Sequence, residues 1–468
     1  MEQTRTGNKM GTLPISRLLM VMALPLMLSM LVQAFYNIVD SFFVARIADT
    51  ATILNMGDKA VNALTLAFPI QMLIIAFNVG TGVGINASLS KYLGEKQREK
   101  ASLVAGNGLF LAVFFYLFVL LFGLFGTPFY FSTQTNDPVI AELGVSYLRI
   151  ICIFSIGHIG ASTFEKLLQA TGKTFYSMIV QMSGAILNII LDPIMIFGWF
   201  GFPAMGVAGA ALATVVGQFI AMLLGAFYHF RYNTDLDHGL SFCRPNAAII
   251  GRIYQVGAPA IAMQALNSVM TYGLNIILGG ISPNAVTAYG VYYKLQNFIF
   301  MPAYGLNNAV IPITAFNYGA RDASRIRDSI RYGIFYVLSI MAFGILLLQL
   351  FAPSLVALYP LSASAQHLCV RALRIITLGY LFSGINIILQ GIYQALGNGF
   401  YSLLISLFRL VIIVLPLSWA LSGLANAAEI VWIVFPIAEI CALSVALYMM
   451  TRIRSRKIRP LEAASAGM

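Results

Sequence analysis

Residues Gln169-Ala170-x-Gly172-x-x-Phe175-Tyr176-Ser177 recur 225 positions later as Gln394-Ala395-x-Gly397-x-x-Phe400-Tyr401-Ser402. In the same register Leu148-Arg149-Ile150-Ile151 pairs with Leu373-Arg374-Ile375-Ile376. Ten identities in one register, Arg, Gln, Gly and Tyr among them, are more than shared hydrophobicity produces. Weaker echoes set Pro25 against Pro259, Asn62-Ala63 against Asn284-Ala285 and Gly94 against Gly319. The chain reads as a duplication, and the flanks of the repeated segments say of what.

Those flanks are apolar. Of the 468 residues, 59% are hydrophobic and 10% charged, with a mean hydropathy of +0.83. A soluble domain carries roughly 25% charged residues, so a soluble fold is excluded. A helix crossing a bilayer needs about 20 largely apolar residues. Twelve stretches qualify, near 15–47, 60–88, 101–126, 139–165, 174–198, 205–230, 249–281, 285–316, 328–352, 365–391, 400–422 and 429–450. The loops between them are too short for a separate globular domain. The expected fold is an all-α integral membrane protein, twelve transmembrane helices arranged as two six-helix bundles. Six spans per copy is an even number, so both copies enter the membrane from the same side, related by a pseudo-two-fold axis along the membrane normal. The expected division is residues 1–230 for the first bundle, 231–452 for the second and 453–468 for a basic tail.

Lys and Arg give an orientation. The N-terminus (Arg5, Lys9, Arg17), the connections after spans 2, 4, 6 and 8, and the C-terminal tail hold 21 of the 28 positive residues, with Lys166 and Lys173 assigned to the connection after span 4. Arg46 and Lys59 are the positive residues of the opposite connections. The positive-inside rule then places both termini in the cytoplasm, for a multi-pass protein of the cytoplasmic (inner) membrane. The net charge of +11 is accounted for in this way, and no polar basic patch interleaved with aromatics suggests nucleic acid. The four cysteines, Cys152, Cys243, Cys369 and Cys441, are widely separated and indicate neither a disulfide framework nor a zinc site. No cleavable signal peptide is evident. A P-loop is missing, so ATP is not expected as an energy source within the chain. No loop carries a nucleophile or metal set that would suggest an enzyme.

The repeat is most informative where it fails. Span 5 contains Asn188-Ile-Ile-Leu-Asp192-Pro193, whose counterparts in span 11 are Ile413, Leu417 and Ser418. Span 1 contains Asp40, whose counterpart near Leu274 is also apolar. An ionised carboxylate inside a bilayer costs a few kcal/mol or more. It must bind a cation, pair with a basic residue or take up a proton. Tyr36 and Asp40 are four residues apart, as are Asn188 and Asp192, so each pair shares a helix face. Pro193 removes a backbone donor beside Asp192 and is expected to break or bend span 5 there. Pro25 gives span 1 a comparable hinge. Thr214, in a run of small residues in span 6, offers a further hydroxyl.

These features resemble the MATE (multidrug and toxic compound extrusion) family, nearest its MepA-like and DinF-like prokaryotic branch. The resemblance spans nearly the whole chain. It rests on Pro25…Tyr36-x-x-x-Asp40, Asn188-x-x-x-Asp192-Pro193, the small-residue helix with Thr214 and the Met301-Pro302…Tyr318-Gly319-Ala320-Arg321 stretch. It implies a cation-coupling site in the first bundle, made by Tyr36, Asp40, Asn188, Asp192 and Thr214. That site would take H⁺ or Na⁺, with Na⁺ held at Asp40, Asn188 and Asp192, and no other cofactor is implied. Another branch of the family carries acids in spans 7 and 10 of the second bundle; here Gln264 stands at the span 7 position and span 10 holds no acid.

Other intramembrane polar residues are candidates for a substrate cavity: Gln33, Asn37, Gln71, Gln264, Asn267, Lys294, Gln296 and Arg409. Lys294 and Arg409 lack charged repeat partners and are expected to line the cavity or to pair with Glu439. Glu429 and Glu439 are otherwise read as packing or interfacial residues, and Arg149 and Arg374 as structural. The expected function is a monomeric antiporter that couples inward H⁺ or Na⁺ movement to efflux of small, amphipathic, often cationic organic compounds. The competing readings are a flippase or exporter of a lipid-linked or dedicated metabolite, and a membrane enzyme or scaffold.

Overall fold

The structure is a computed structural model, and it describes residues 8–47, 56–359 and 361–466. Arg5, counted above among the positive residues of the N-terminus, lies outside the described residues. Every regular element among the described residues is helical. We number the membrane-crossing helices α1 Ile15–Val44, α2 Met56–Gly94, α3 Arg98–Gln134, α4 Pro138–Ile153 with Ile156–Ala170, α5 Thr174–Phe197, α6 Gly206–Tyr232, α7 Ala247–Ile281, α8 Pro283–Gly319, α9 Ala323–Val356, α10 Ala363–Ala395, α11 Gly399–Ser422 and α12 Ala427–Ala463. Eleven are single helices long and apolar enough to cross, and α4 is the twelfth if its two segments, bent by 45°, form one span. The helices form the two bundles expected from the repeat.

Local chemistry sets the ends of these helices. Asp137, Asn246, Ser282, Asp322 and Ser362 each accept a bond from a backbone N–H in the first turn of α4, α7, α8, α9 and α10, satisfying donors that a helix start leaves open. The duplication persists in the turns. Gly172 and Gly397, equivalent in the repeat, both take positive φ, 81° and 76°, between α4 and α5 and between α10 and α11. Lys96 and Arg321, also equivalent, take φ of 60° and 61° after α2 and α8. Of the break or bend expected at Pro193 the break does not occur: α5 runs on to Phe197 and ends at the left-handed Gly198. Proline removes one backbone bond, and the packing of α5 against α1 and α6 holds the helix across the gap.

The bundles meet along α1, α2, α7 and α8. One close crossing, of α2 and α8, lies near the face that carries both chain ends, called the terminal face below. A β-carbon on Gly94 of α2 would overlap the Phe316 carbonyl oxygen of α8, and one on Gly319 of α8 would overlap the Lys91 carbonyl oxygen of α2. Gly94 and Gly319 are 225 residues apart, as are Lys91 and Phe316, so the crossing is symmetric. Gly80 of α2 approaches Ile261 of α7 just as Gly305 of α8 approaches Met27 of α1. Small residues let helix backbones approach where lipid supplies no hydrophobic drive. Val83 and Ala87, Val256 and Ala260, and Ile311, Ala315 and Ala395 complete the seam.

The lead-in to α1 belongs to this face. Asn8 donates to the Thr171 carbonyl of the first bundle (3.3 Å), while Arg325 of α9 donates to the carbonyls of Met10 (2.9 Å) and Leu13 (2.8 Å). The first half of α1, through Leu26, is buried in the core of the second bundle. Beyond it the core residues of α1 thin to Ala34 and Val44. The connection from α6 to α7 is pinned to the first bundle by Asn107, which donates to the carbonyls of Phe242 and Arg244 (both 3.3 Å) and accepts from the Asn246 N–H (2.8 Å). Lys166 lies in α4 and not in the connection after it: it is buried, donating to Gln169 Oε1 at 3.0 Å and toward Asn308 Oδ1 of α8 at 3.4 Å. A lysine stem is long enough to pass over Gly82 and keep its charge among polar partners.

Candidate functional site

α1, α5 and α6 pack against one another in the first bundle and bring together the residues that the repeat singled out. Asp192 and Asn188, 0% and 2% exposed, lie one turn apart on the buried face of α5. Thr214 faces them from α6. Asp40 and Tyr36 come from the second half of α1, and each lies within electrostatic reach of Asp192. One oxygen of each carboxyl, Asp40 Oδ1 and Asp192 Oδ1, is buried without a hydrogen-bond partner. Enclosed carboxyl oxygens are costly unless something binds them.

Asn188 links the acid of α5 to α6. Its Nδ2 donates to Asp192 Oδ2 at 3.1 Å and its Oδ1 accepts from the Thr214 hydroxyl (2.9 Å) and N–H (3.1 Å), an arrangement suited to a carboxylate. The opposite orientation would set the amide oxygen against Asp192 and the amide nitrogen against the Thr214 N–H, so both neighbours fix the amide.

The structure adds a residue that sequence reading passed over. Tyr147 of α4 is buried, accepts from Gln71 Nε2 at 3.0 Å and lies within electrostatic reach of Asp40, Tyr36 and Asp192. The signal was available: Tyr147 immediately precedes the repeated Leu148-Arg149-Ile150-Ile151, and its counterpart is Ala372. Gln71 is thereby tied to the acid site. Gln33 accepts from Gln181 of α5 at 2.6 Å, and Asn37 lies on an exposed face of α1.

The remaining cavity candidates divide. Gln264 and Gln296 are half-buried, in α7 and α8, and Asn267 is exposed, its Nδ2 3.4 Å from the Met263 carbonyl. Lys294 is exposed on α8, 6.0 Å from the Tyr359 ring. Arg409 of α11 pairs with Glu439 of α12 at 3.1 Å, so of the two fates open to Lys294 and Arg409 only Arg409 has taken the acid. Glu439 is therefore more than a packing residue: Asn386 of α10 also donates to its Oε2, at 2.9 Å. Glu429 pairs with Arg371 at 3.0 Å. Arg149 and Arg374 keep their equivalence on exposed helix faces. The four cysteines are free, and among the described residues no group of three or more His, Cys, Asp or Glu could hold a metal ion.

Known proteins resemble the whole of this arrangement. The multidrug export protein MepA of Staphylococcus saprophyticus subsp. saprophyticus is 26% identical over 429 residues, 92% of each chain. MepA of Staphylococcus haemolyticus is 26% identical over 442 residues, 94% of each. Among solved structures, the outward-facing conformation of a multidrug resistance MATE family transporter of the MOP superfamily superposes with a TM-score of 0.90 at 24% identity, over 99% of this chain and 100% of the other. A MATE protein in complex with MaL6 gives 0.89 at 24% identity, over 98% and 100%. At that identity the likeness to the solved structures is one of fold. The family model called MatE matches residues 25–194 and 259–420, one stretch in each bundle, and the chain belongs to that family.

Proposed function

We propose that the protein is a secondary active exporter, an antiporter in which inward H⁺ or Na⁺ drives efflux of amphipathic, often cationic, organic compounds. The observation that carries this reading is the pair of unpartnered, buried carboxyl oxygens of Asp40 and Asp192, gathered with Tyr36, Asn188 and Thr214 in one bundle of a two-bundle membrane fold. The MepA relatives named as multidrug export proteins support the export half of it.

The mechanism follows from the placement. The bundles, residues 1–230 and 231–452, rock about the seam between them, and residues 453–468 form a tail on the cytoplasmic side with both termini, in the inner membrane. Alternating access has the space between the bundles open to one side and then the other, with the close crossing of α2 and α8 at Gly94 and Gly319 parting when it opens toward the terminal face. A coupling ion from outside reaches the acids: a proton neutralises one carboxyl of the pair, or Na⁺ takes oxygens of Asp40, Asp192 and Asn188, a donor set suited to a hard cation. Two close carboxyls titrate as one system, so the proton belongs to the pair. Neutralisation removes the repulsion between α1 and α5 and lets α1 move about Pro25, close to where it leaves the second bundle. Pro193 gives α5 a missing bond beside the acid. Substrate then loses its place and departs. The transporter works as a monomer, because each chain holds both bundles.

Purified protein in proteoliposomes, given a pH gradient and a Na⁺ gradient separately, tests the reading. Efflux is expected with one gradient, and Asp40→Asn and Asp192→Asn are each expected to abolish that drive. Full drive in both variants would remove the acids from the mechanism, and drive by neither gradient in wild type would remove the antiport.

A further inference from the structure

The second bundle holds an ion pair at a depth the repeat makes comparable to the acid site. Glu439 is 225 residues from Thr214, and with the two copies related by an axis along the membrane normal the two positions lie at one level. Where the first bundle has acids with unpartnered oxygens, the second has Arg409 and Glu439, with side chains 14% and 15% exposed. A purely structural role explains such a pair poorly, because buried ion pairs are often no more stabilising than apolar residues of the same volume.

The bonds of the pair are unequal. Arg409 reaches Glu439 through Nη1 alone, 3.1 Å to Oε1 and 3.5 Å to Oε2. Its Nε is enclosed and without a partner. The Nε and Nη2 edge, which a planar carboxylate engages with two parallel bonds, is therefore not used by Glu439. Glu439 in turn has a second donor, Asn386 Nδ2 at 2.9 Å, and stays held if the guanidinium turns away. Tyr304 of α8 lies within electrostatic reach of Arg409, Glu439 and Tyr293. Tyr304 and Tyr293 are 40% and 45% exposed, on the helix that meets α1 and α2 across the seam. Two partly exposed tyrosines of α8 thus stand near the pair, Tyr304 within electrostatic reach of both charges.

We infer that Arg409 is a subsite for the carboxylate of an exported compound, with Glu439 the internal competitor that occupies the guanidinium when no substrate does. This rests on the export reading and adds to it the group that holds a substrate's carboxylate: Arg409 in the second bundle, with a substrate's positive group, where it has one, turned toward the acids of the first. An aromatic scaffold between them would lie on Tyr304 and Tyr293.

The test is equilibrium binding to the purified full-length protein of two matched fluorescent probes, a zwitterionic rhodamine with a free carboxylate and its methyl ester. Arg409→Gln is expected to weaken the free acid about tenfold or more, as loss of a charge-assisted bidentate contact should, and to leave the ester unchanged. Glu439→Gln removes the competitor and is expected to tighten the free acid. A pair that only holds α11 to α12 would move both probes alike and in the same direction in both variants, which would overturn the subsite. Arg409→Lys keeps the charge without the planar edge and covers misfolding of the glutamine variant; it is expected to lose part of the preference for the free acid, and a preference equal to wild type counts against the proposal. Wild-type protein that binds neither probe contradicts the export reading and the subsite together. Binding of both, with a ratio that Arg409→Gln does not move, overturns the subsite alone.

Discussion

Asn188 sits between Asp192 and Thr214 with one amide atom for each: Nδ2 donates to Asp192 Oδ2, and Oδ1 accepts from the Thr214 hydroxyl and N–H. Thr214→Val keeps the shape of the side chain and removes the hydroxyl. Losing that bond to a buried amide oxygen costs about 1 kcal/mol, roughly a fivefold loss, so the variant should weaken coupling-ion affinity by that factor while expression is unchanged. The ion concentration for half-maximal efflux measures it, and an unshifted value would detach Thr214 from the ion site. Tyr147→Phe should act in the same direction, because the phenol oxygen that accepts from Gln71 borders both acids. The acids themselves were legible because a duplicated chain is its own control: a polar residue in one copy against an apolar one in the other has no packing reason to differ. Applied to every position, that rule would have found Tyr147 against Ala372. It could not have found that Arg409 chooses Glu439, because the rotation of α11 against α12 is set by packing, and lipid-facing and core-facing residues are alike apolar in a membrane helix.

Helix boundaries were the most readable level, since hydropathy and turn residues report them directly; eleven of the twelve apolar stretches are single helices long enough to cross, and the remaining one is a helix pair bent by 45°. The loop position expected for Lys166, and the break that was one of two outcomes expected at Pro193, come from treating a local signal as decisive when neighbouring helices override it. The start of α4 is a case where local signals suffice. Asp137 accepts from the N–H groups of Val139 (2.9 Å) and Ile140 (3.2 Å), Pro138 takes the first helical position, and Lys59 at the start of α2 donates to Asp137 Oδ2 at 2.7 Å. The bond from Lys59, with the two backbone donors, holds the Asp137 carboxyl below the usual carboxylate value. A carboxyl lowered in the native state adds stability that is present above its unfolded value and is lost as pH falls through its native one. Asp137→Asn should therefore lower the temperature of thermal inactivation at neutral pH, and the difference from wild type should vanish in acid below the native carboxyl's own value. A deficit that persisted in acid would assign the cap to hydrogen-bond geometry and not to charge.

At the scale of the whole molecule the two copies are joined by an interface that repeats their own symmetry. Gly94 lies against the Phe316 carbonyl and Gly319 against the Lys91 carbonyl, so the pseudo-two-fold axis runs through this crossing of α2 and α8. Because van der Waals fit rather than hydrophobic drive holds helices together in lipid, the closeness of this crossing sets how tightly the two bundles meet at the terminal face, and in the proposed mechanism it parts when that face opens. A methyl group on either glycine overlaps backbone, which cannot swing aside as a side chain can. Overpacking of this kind costs about 1–3 kcal/mol, enough to shift a two-state balance roughly 5- to 150-fold. Gly94→Ala and Gly319→Ala should each move the population toward a separated terminal face, and the repeat predicts shifts of similar size for the two. Gly251 of α7 has open space where its β-carbon would stand, so Gly251→Ala should leave the balance alone. Spin labels introduced by Lys100→Cys and Arg331→Cys, one in each bundle, in a background lacking Cys152, Cys243, Cys369 and Cys441, would report the separation by pulsed electron resonance. Longer distances in both glycine variants and not in the control are expected; a distribution unchanged in all three would mean that the face is closed by other contacts, the Arg325 bonds to the lead-in of α1 first among them.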